Sequence, residues 1–135
     1  MQSSRNQLGA ITLFTEDLEQ SKTWYEQIFH VAPVFADTES AAYQFEDLII
    51  NLLKAEAAYD LIAPTAVARP HEGARYQLTI PVDDVDAVCA ELAELGIGLM
   101  NGPVNRPWGQ RTVAIVDPSG HIWEFATDIP TPQQS

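Results

Sequence analysis

An internal repeat constrains this chain more than any other feature. Two segments, Ala10-Ile-Thr-Leu-Phe-Thr-Glu-Asp-Leu18 and Gln77-Leu-Thr-Ile-Pro-Val-Asp-Asp-Val85, match at an offset of 67 positions. Each is an alternating stretch, then an acidic pair, then an amphipathic run. Period-two alternation reads as a strand. The acidic pairs, Glu16-Asp17 and Asp83-Asp84, read as helix starts. A carboxylate there accepts from free backbone N–H groups and meets the positive end of the helix dipole. The offset also aligns Ile11 with Leu78, Leu13 with Ile80, Tyr25 with Leu92 and Ile28 with Leu95, all apolar. One helical face gathers Leu18, Tyr25, Ile28 and Phe29; the other gathers Val85, Val88, Cys89, Leu92 and Leu95, with Gly96 as C-terminal cap.

Short strand candidates follow each helix: Pro33–Asp37, Ala41–Phe45 and Leu48–Leu53, then Gly98–Asn101, Gln110–Val116 and His121–Thr127. Asp117-Pro-Ser-Gly120 joins the last two and carries the residues of a type I turn. The predicted fold class is α+β, two βαβββ modules within one domain-sized chain of 135 residues. Module one covers about residues 8–54, a linker 55–73, module two about 74–127, and a Pro/Gln/Thr tail 128–135.

Seven basic residues face nineteen acidic ones, a formal net charge of −12, which argues against nucleic acid as a partner. The acidity suits solubility or a cationic ligand. No apolar run approaches the ~18 residues that span a bilayer, and Met1 to Gln7 lack a signal peptide's apolar stretch. The expected location is cytoplasmic, with no membrane partner. A single cysteine, Cys89, allows no intrachain disulfide, and its place on the second helix reads as an inert buried thiol.

Asp17-Leu18, Ser21 and Trp24-Tyr25 after the first strand, then Val82-Asp-Asp-Val85, Pro107-Trp-Gly109 and Asp117-Pro-Ser-Gly-His-Ile-Trp-Glu-Phe125 occur in an order that resembles the vicinal oxygen chelate superfamily. That group includes glyoxalase I, extradiol dioxygenases, fosfomycin-resistance enzymes and bleomycin-binding proteins. The likeness runs over about residues 8–127. It implies a half-barrel sheet from each module, helices outside, a ligand cavity inside, and a homodimer. It does not imply one chemistry, because one fold hosts many.

Alternation assigns the strand faces. Ala10, Thr12 and Phe14 point away from the helices, as do Asn51, then Gln77, Thr79 and Pro81, then Ile122, Glu124 and Ala126. In metal-dependent relatives four such positions carry His or Glu ligands. Here they are Ala10, Asn51, Gln77 and Glu124, of which only Glu124 is a good transition-metal ligand. No metal and no cofactor are therefore expected. His30, His71 and His121 are scattered and read as surface residues; a site built from His71 and Glu124 would need the linker to fold over the cavity mouth.

The expected ligand-binding residues are Phe14, Ile49, Asn51, Gln77, Trp108, Arg111, Ile122 and Glu124, with Leu53 adding apolar area. A buried Glu124 either binds a cationic group, acts as a base, or is an inherited position bonded to Gln77 and Asn51. Trp108 either stacks on a planar or cationic ligand or anchors its loop. Arg111 either meets an anionic ligand or pairs with an acid such as Asp117. The leading reading is a metal-independent small-molecule binding protein that sequesters an antibiotic or metabolite. The alternatives are a lyase, isomerase or dioxygenase-like enzyme with Glu124 as base or metal ligand, and a structural dimer with a vestigial cavity.

Overall fold

The computed structural model describes residues 6–74 and 76–130. Met1 to Arg5 of the polar N-terminus and the end of the expected tail, 131–135, lie outside the described residues. The chain divides into two compact units, with the boundary between Arg69 and Pro70.

The first unit contains β1 (Ala10–Thr15), α1 (Leu18–Phe29), β2 (Phe35–Ala36), β3 (Ser40–Phe45) and β4 (Leu48–Lys54). They form one open mixed sheet in the order β1-β4-β3-β2, with β1 parallel to β4 and the others antiparallel. Asp17 starts α1 as expected: its Oδ1 accepts from the Gln20 backbone N–H at 3.0 Å. The helix packs on β3 and β4. Leu13, Ile50 and Leu52 are buried beneath it, and Tyr25 and Tyr43 are fully buried, their rings stacked at 6.4 Å. The Tyr43 hydroxyl donates to Glu26 Oε2 at 2.8 Å, and burial together with that carboxylate pushes its pKa up.

The expected linker is not structureless. A 3-10 turn at Ala55–Ala57 runs into a four-residue helix, α2 (Tyr59–Ile62). Alanine-rich sequence tolerates such turns, and their brevity hides any helical period.

The second unit repeats the plan with β5 (Leu78–Pro81), α3 (Val85–Glu94), β6 (Asn101–Arg106), β7 (Gln110–Val116) and β8 (Ile122–Asp128), in the order β5-β8-β7-β6. Asp84 Oδ1 accepts from the Ala87 N–H at 3.1 Å, matching Asp17. Gly96, at φ +74°, follows the helix and donates to the Ala93 carbonyl. α3 packs on β6, β7 and β8 over Val113, Ile115, Trp123 and Phe125. Cutting Trp123, 2% exposed, to alanine would cost ~3–5 kcal/mol in lost burial and cavity formation. The fold is α+β with two βαβββ modules, each sheet open.

One strand lies later than expected. The sequence placed β6 at Gly98–Asn101; it runs Asn101–Arg106. Gly102 at φ +84° and Pro103 break the alternation, and the pairing with β7 slips between Asn101 and Val104.

Candidate functional site

In each unit one sheet face carries the helix and the other is left without a helix of its own unit. On the first unit's open face, Thr12, Asn51 and Ala42 lie side by side across three strands. Asn51 Nδ2 donates to Thr12 Oγ1 at 3.4 Å, so its amide is tied within the sheet. Phe14 pairs with Leu53, and Ile49 with Ala10. Phe14, Ile49, Asn51 and Leu53 are therefore brought together there, each half-buried.

The second unit's open face is polar. Glu124 of β8 lies between Thr79 of β5 and Ala114 of β7, which in turn pairs with Asn101 of β6. Thr79 Oγ1 donates to Glu124 Oε1 at 3.0 Å. Of the alternatives open for a buried Glu124, the bond to Gln77 is not formed: Glu124 is half-buried and accepts from Thr79. Parallel pairing of β5 with β8 sets Thr79, not Gln77, beside it, and Gln77 is exposed just before the strand. Ile122 begins β8, two residues before Glu124, half-buried and paired with Val116.

The β6–β7 connection supplies the rest. Pro107, Trp108 and Gly109 form a three-residue hairpin loop between the paired Arg106 and Gln110, closed by Gly109 N–H to the Arg106 carbonyl at 3.0 Å. Gly109 at φ +93° completes the turn, a conformation costly to any other residue. Trp108, at the tip, is 65% exposed. Its Nε1–H donates to Gln110 Oε1 at 3.1 Å, and its ring lies 5.8 Å from the Arg106 guanidinium carbon. Arg106 Nε donates to Thr112 Oγ1 at 3.0 Å and Nη2 to Asn101 Oδ1 at 3.3 Å. A recess of about 350 Å³ on this face is lined by Thr79, Pro81, Gln110, Ala126 and Asp128, among others. Its volume is that of a small-ligand pocket.

Arg111 is elsewhere. β7 alternates, so Arg111 shares the helix-facing side with Val113 and Ile115, opposite Thr112 and Ala114. Its Nε and Nη2 donate to both carboxylate oxygens of Asp86 at 3.0 and 2.9 Å, and its Nη1 donates to Asn105. That fork holds the Asp86 carboxyl below its ordinary pKa. The acid that Arg111 pairs with is thus Asp86, not Asp117. Asp117 is buried, accepts from the backbone N–H groups of Ser119 and His121, and lies 2.6 Å from His121 Nδ1. His121 is therefore a partner of the β7–β8 turn and not a loose surface histidine. Cys89 is half-buried, and burial raises its thiol pKa, which disfavours a reactive thiolate.

The sequence reading put Thr79 on this face without naming it among the binding residues, and it missed Asn101, Arg106 and Gln110. The signal for Arg106 was present: a three-residue Pro-Trp-Gly loop forces Arg106 to pair with Gln110, whose strand face was already assignable.

A family model described as the Glyoxalase/Bleomycin resistance protein/Dioxygenase superfamily matches residues 7–125. The chain belongs to this superfamily. Among solved structures, the glyoxalase/bleomycin-resistance superfamily chain is similar to a glyoxalase/bleomycin resistance protein/dioxygenase from Nocardioides, with 22% identity, TM-score 0.83, and coverage of 99% of this chain and 92% of that one. It is also similar to a glyoxalase-related enzyme from Fulvimarina pelagi, with 28% identity, TM-score 0.81 and coverage of 91% and 88%. A third likeness, at 18% identity, TM-score 0.73 and coverage of 93% and 96%, is to a lactoylglutathione lyase from Agrobacterium tumefaciens and concerns the fold alone.

The resemblance equates the metal-ligand positions of metal-dependent relatives with Ala10, Asn51, Gln77 and Glu124. Alanine offers no donor, the Asn51 amide is committed to Thr12, Gln77 is a neutral amide, and Glu124 alone is a carboxylate. Among the described residues no group of three or more His, Cys, Asp and Glu could hold a metal ion. These residues do not fit a transition-metal centre. No helix among the described residues is long and apolar enough to cross a membrane.

Proposed function

We propose that this protein binds a small molecule without a metal, on the open face of its second sheet. One observation carries the reading. Glu124 stands half-buried, held by the hydroxyl of Thr79, which itself lines a recess of about 350 Å³, and among the described residues no group of three or more His, Cys, Asp and Glu could hold a metal ion. A carboxylate so placed orients a ligand through a hydrogen bond or ion pair, and Ile122, on the same face of β8, supplies apolar area. Trp108 borders the same face, whereas Arg111 serves the fold. Sequestration of an antibiotic or metabolite by a cytoplasmic homodimer completes the proposal. Val34 and Phe35, 63% and 56% exposed at the edge strand β2, are apolar surface of the kind a second copy covers. Light scattering that finds only monomer would remove the dimer from it.

The test is a ligand screen read by tryptophan fluorescence on metal-stripped protein. Trp24 and Trp123 are 8% and 2% exposed, so Trp108 dominates a change caused by ligand. Binding that survives a chelator and is weakened by Glu124→Gln supports the proposal. Stoichiometric metal retained after desalting, with binding lost on its removal, would sink it.

A second reading is an enzyme in which Glu124 removes a proton from a carbon next to a carbonyl. Its support is that Glu124 Oε1 is occupied by Thr79 while Oε2 has no protein partner among the described residues. Turnover on an electrophile, epimer or catechol panel that vanishes in Glu124→Gln, with folding intact, would favour it. No turnover on any of them would count against it.

A further inference from the structure

Arg106 is a cation that the fold holds still without neutralising it. Three contacts fix it: Nε–H to Thr112 Oγ1 at 3.0 Å, Nη2–H to Asn101 Oδ1 at 3.3 Å, and the Trp108 ring at 5.8 Å. Both acceptors are neutral, and Thr112 is 1% exposed, so that anchor is firm. Among the described residues no carboxylate lies within ion-pairing distance of Arg106. Arg111 and Lys22 differ, being paired with Asp86 and Glu19. Lys54 meets no carboxylate among the described residues either, but no side-chain hydrogen bond fixes it there, so Arg106 differs from it in being held.

The unused groups have a shape. A guanidinium carries five N–H donors; Thr112 and Asn101 take those along the Nε–Nη2 side, which leaves Nη1 and the end-on edge. That edge matches a planar oxyanion in a two-point bond. A rotamer-rich side chain already fixed has less entropy to lose on binding. A singly charged carboxylate is balanced by one guanidinium. A phosphate dianion would need more positive charge than this face offers, since its other ionisable groups are Glu124 and the recess-lining Asp83 and Asp128.

Glu124 sets the second requirement. The register places it one strand from Ala114 and two from Asn101, the residue that holds Arg106. Adjacent strands lie about 4.8 Å apart, so the carboxylate and the guanidinium anchor are separated by roughly the length of a small molecule.

We propose, resting on the reading that this face is the ligand site, that Arg106 is its anion-binding residue and that the ligand is a small carboxylic acid carrying an ammonium or hydroxyl donor for Glu124. The Arg106–Asn101–Thr112 arrangement recognises the carboxylate end, and Glu124–Thr79 receives the donor end.

The experiment titrates the full chain with three probes at constant ionic strength: phenylalanine, 3-phenylpropanoate, which lacks the amine, and phenethylamine, which lacks the carboxylate. Nitrogen–proton NMR follows the Arg106 Nε–H, the Trp108 Nε1–H and the Thr79 amide. The two carboxylates should shift the Arg106 signal saturably, and sodium chloride at equal ionic strength should not. In Arg106→Gln their dissociation constants should rise about 10- to 100-fold, the loss of one or two charge-assisted hydrogen bonds. Arg106→Lys, which keeps the charge and loses the fork, should fall between. Carboxylate binding equal in wild type and Arg106→Gln, or an Arg106 signal that no carboxylate moves, overturns the inference. If phenethylamine still shifts Thr79 in that case, the open-face reading stands and only the role of Arg106 falls. If none of the probes moves any of the three signals, both fall.

Discussion

Gly102→Ala tests the architecture of the strand that carries Arg106. Gly102 has φ +84°, and a Cβ there would lie 2.5 Å from the Thr112 carbonyl oxygen and 3.1 Å from the Val113 Cα. Both are backbone atoms of the central strand β7, so neither can swing aside as a side-chain tip would. Placing a non-glycine residue in this left-handed region costs ~1–2 kcal/mol. Forcing extra volume into a packed contact adds ~1–3 kcal/mol. The total, ~2–5 kcal/mol, is a large part of the ~5–15 kcal/mol that holds a domain together. Gly109→Ala is the internal control: φ is +93°, but no heavy atom lies within 4 Å of its Cβ position, so only the conformational cost applies. Urea unfolding followed by circular dichroism should show Gly102→Ala losing ~1–3 kcal/mol more than Gly109→Ala. The same substitution should also shift the Arg106 Nε–H resonance, since Asn101 and Thr112 sit on either side of the clash. Equal losses for the two variants would refute the close-approach argument.

Three other perturbations have defined outcomes. Tyr76 is held protonated by burial and by the charge of Asp117, its pKa pushed up to about 12. Between pH 10 and that value the unfolded chain gives up the proton while the folded chain keeps it, so stability falls as pH rises. At 45% exposure the effect is discounted to ~1 kcal/mol, and Tyr76→Phe should flatten that alkaline limb in pH-dependent denaturation. Asp17→Ala and Asp84→Ala each remove a helix N-cap and should each cost ~1 kcal/mol by urea unfolding; no loss in either would mean the caps are redundant. Arg111→Ala should leave probe binding unchanged while raising the pKa of Asp86 toward its ordinary value in a carboxyl NMR titration, and a weakened ligand would return Arg111 to the site.

Much of the fold was legible because it is written in periods. The alternation in β1, β4, β5 and β8 separated Leu13, Ile50, Leu52, Trp123 and Phe125 from the open faces, and the burial of each agrees. Asp17 and Asp84 marked helix starts by local chemistry that needs no tertiary context. β6 was misplaced because Gly102 and Pro103 interrupt its alternation, and α2 went unseen because four residues cannot display a helical period. The site was less legible for a related reason. Faces follow from a strand's own pattern, but neighbours follow from register between strands. That is why Glu124 could be oriented correctly yet given Gln77 as partner in place of Thr79, and why Arg111 was preferred to Arg106 although only the latter shares the face of Thr112.

The outer edges of the two sheets have a bearing on self-association. β2 is only two residues long. β6 carries Pro103, which has no N–H to offer an incoming strand, and a register slip that bends it out of line. Both outer edges are thus poor templates for edge-to-edge pairing, which is the first step of strand-by-strand aggregation. Of the opposite edges, β1 keeps regular parallel pairing over six residues without a proline, whereas β5 spans four and ends in Pro81, which likewise has no N–H to offer. The longest regular edge is therefore that of β1, and a chain with one such edge can gain a backbone partner there without offering an equally good second edge from which a fibre could grow.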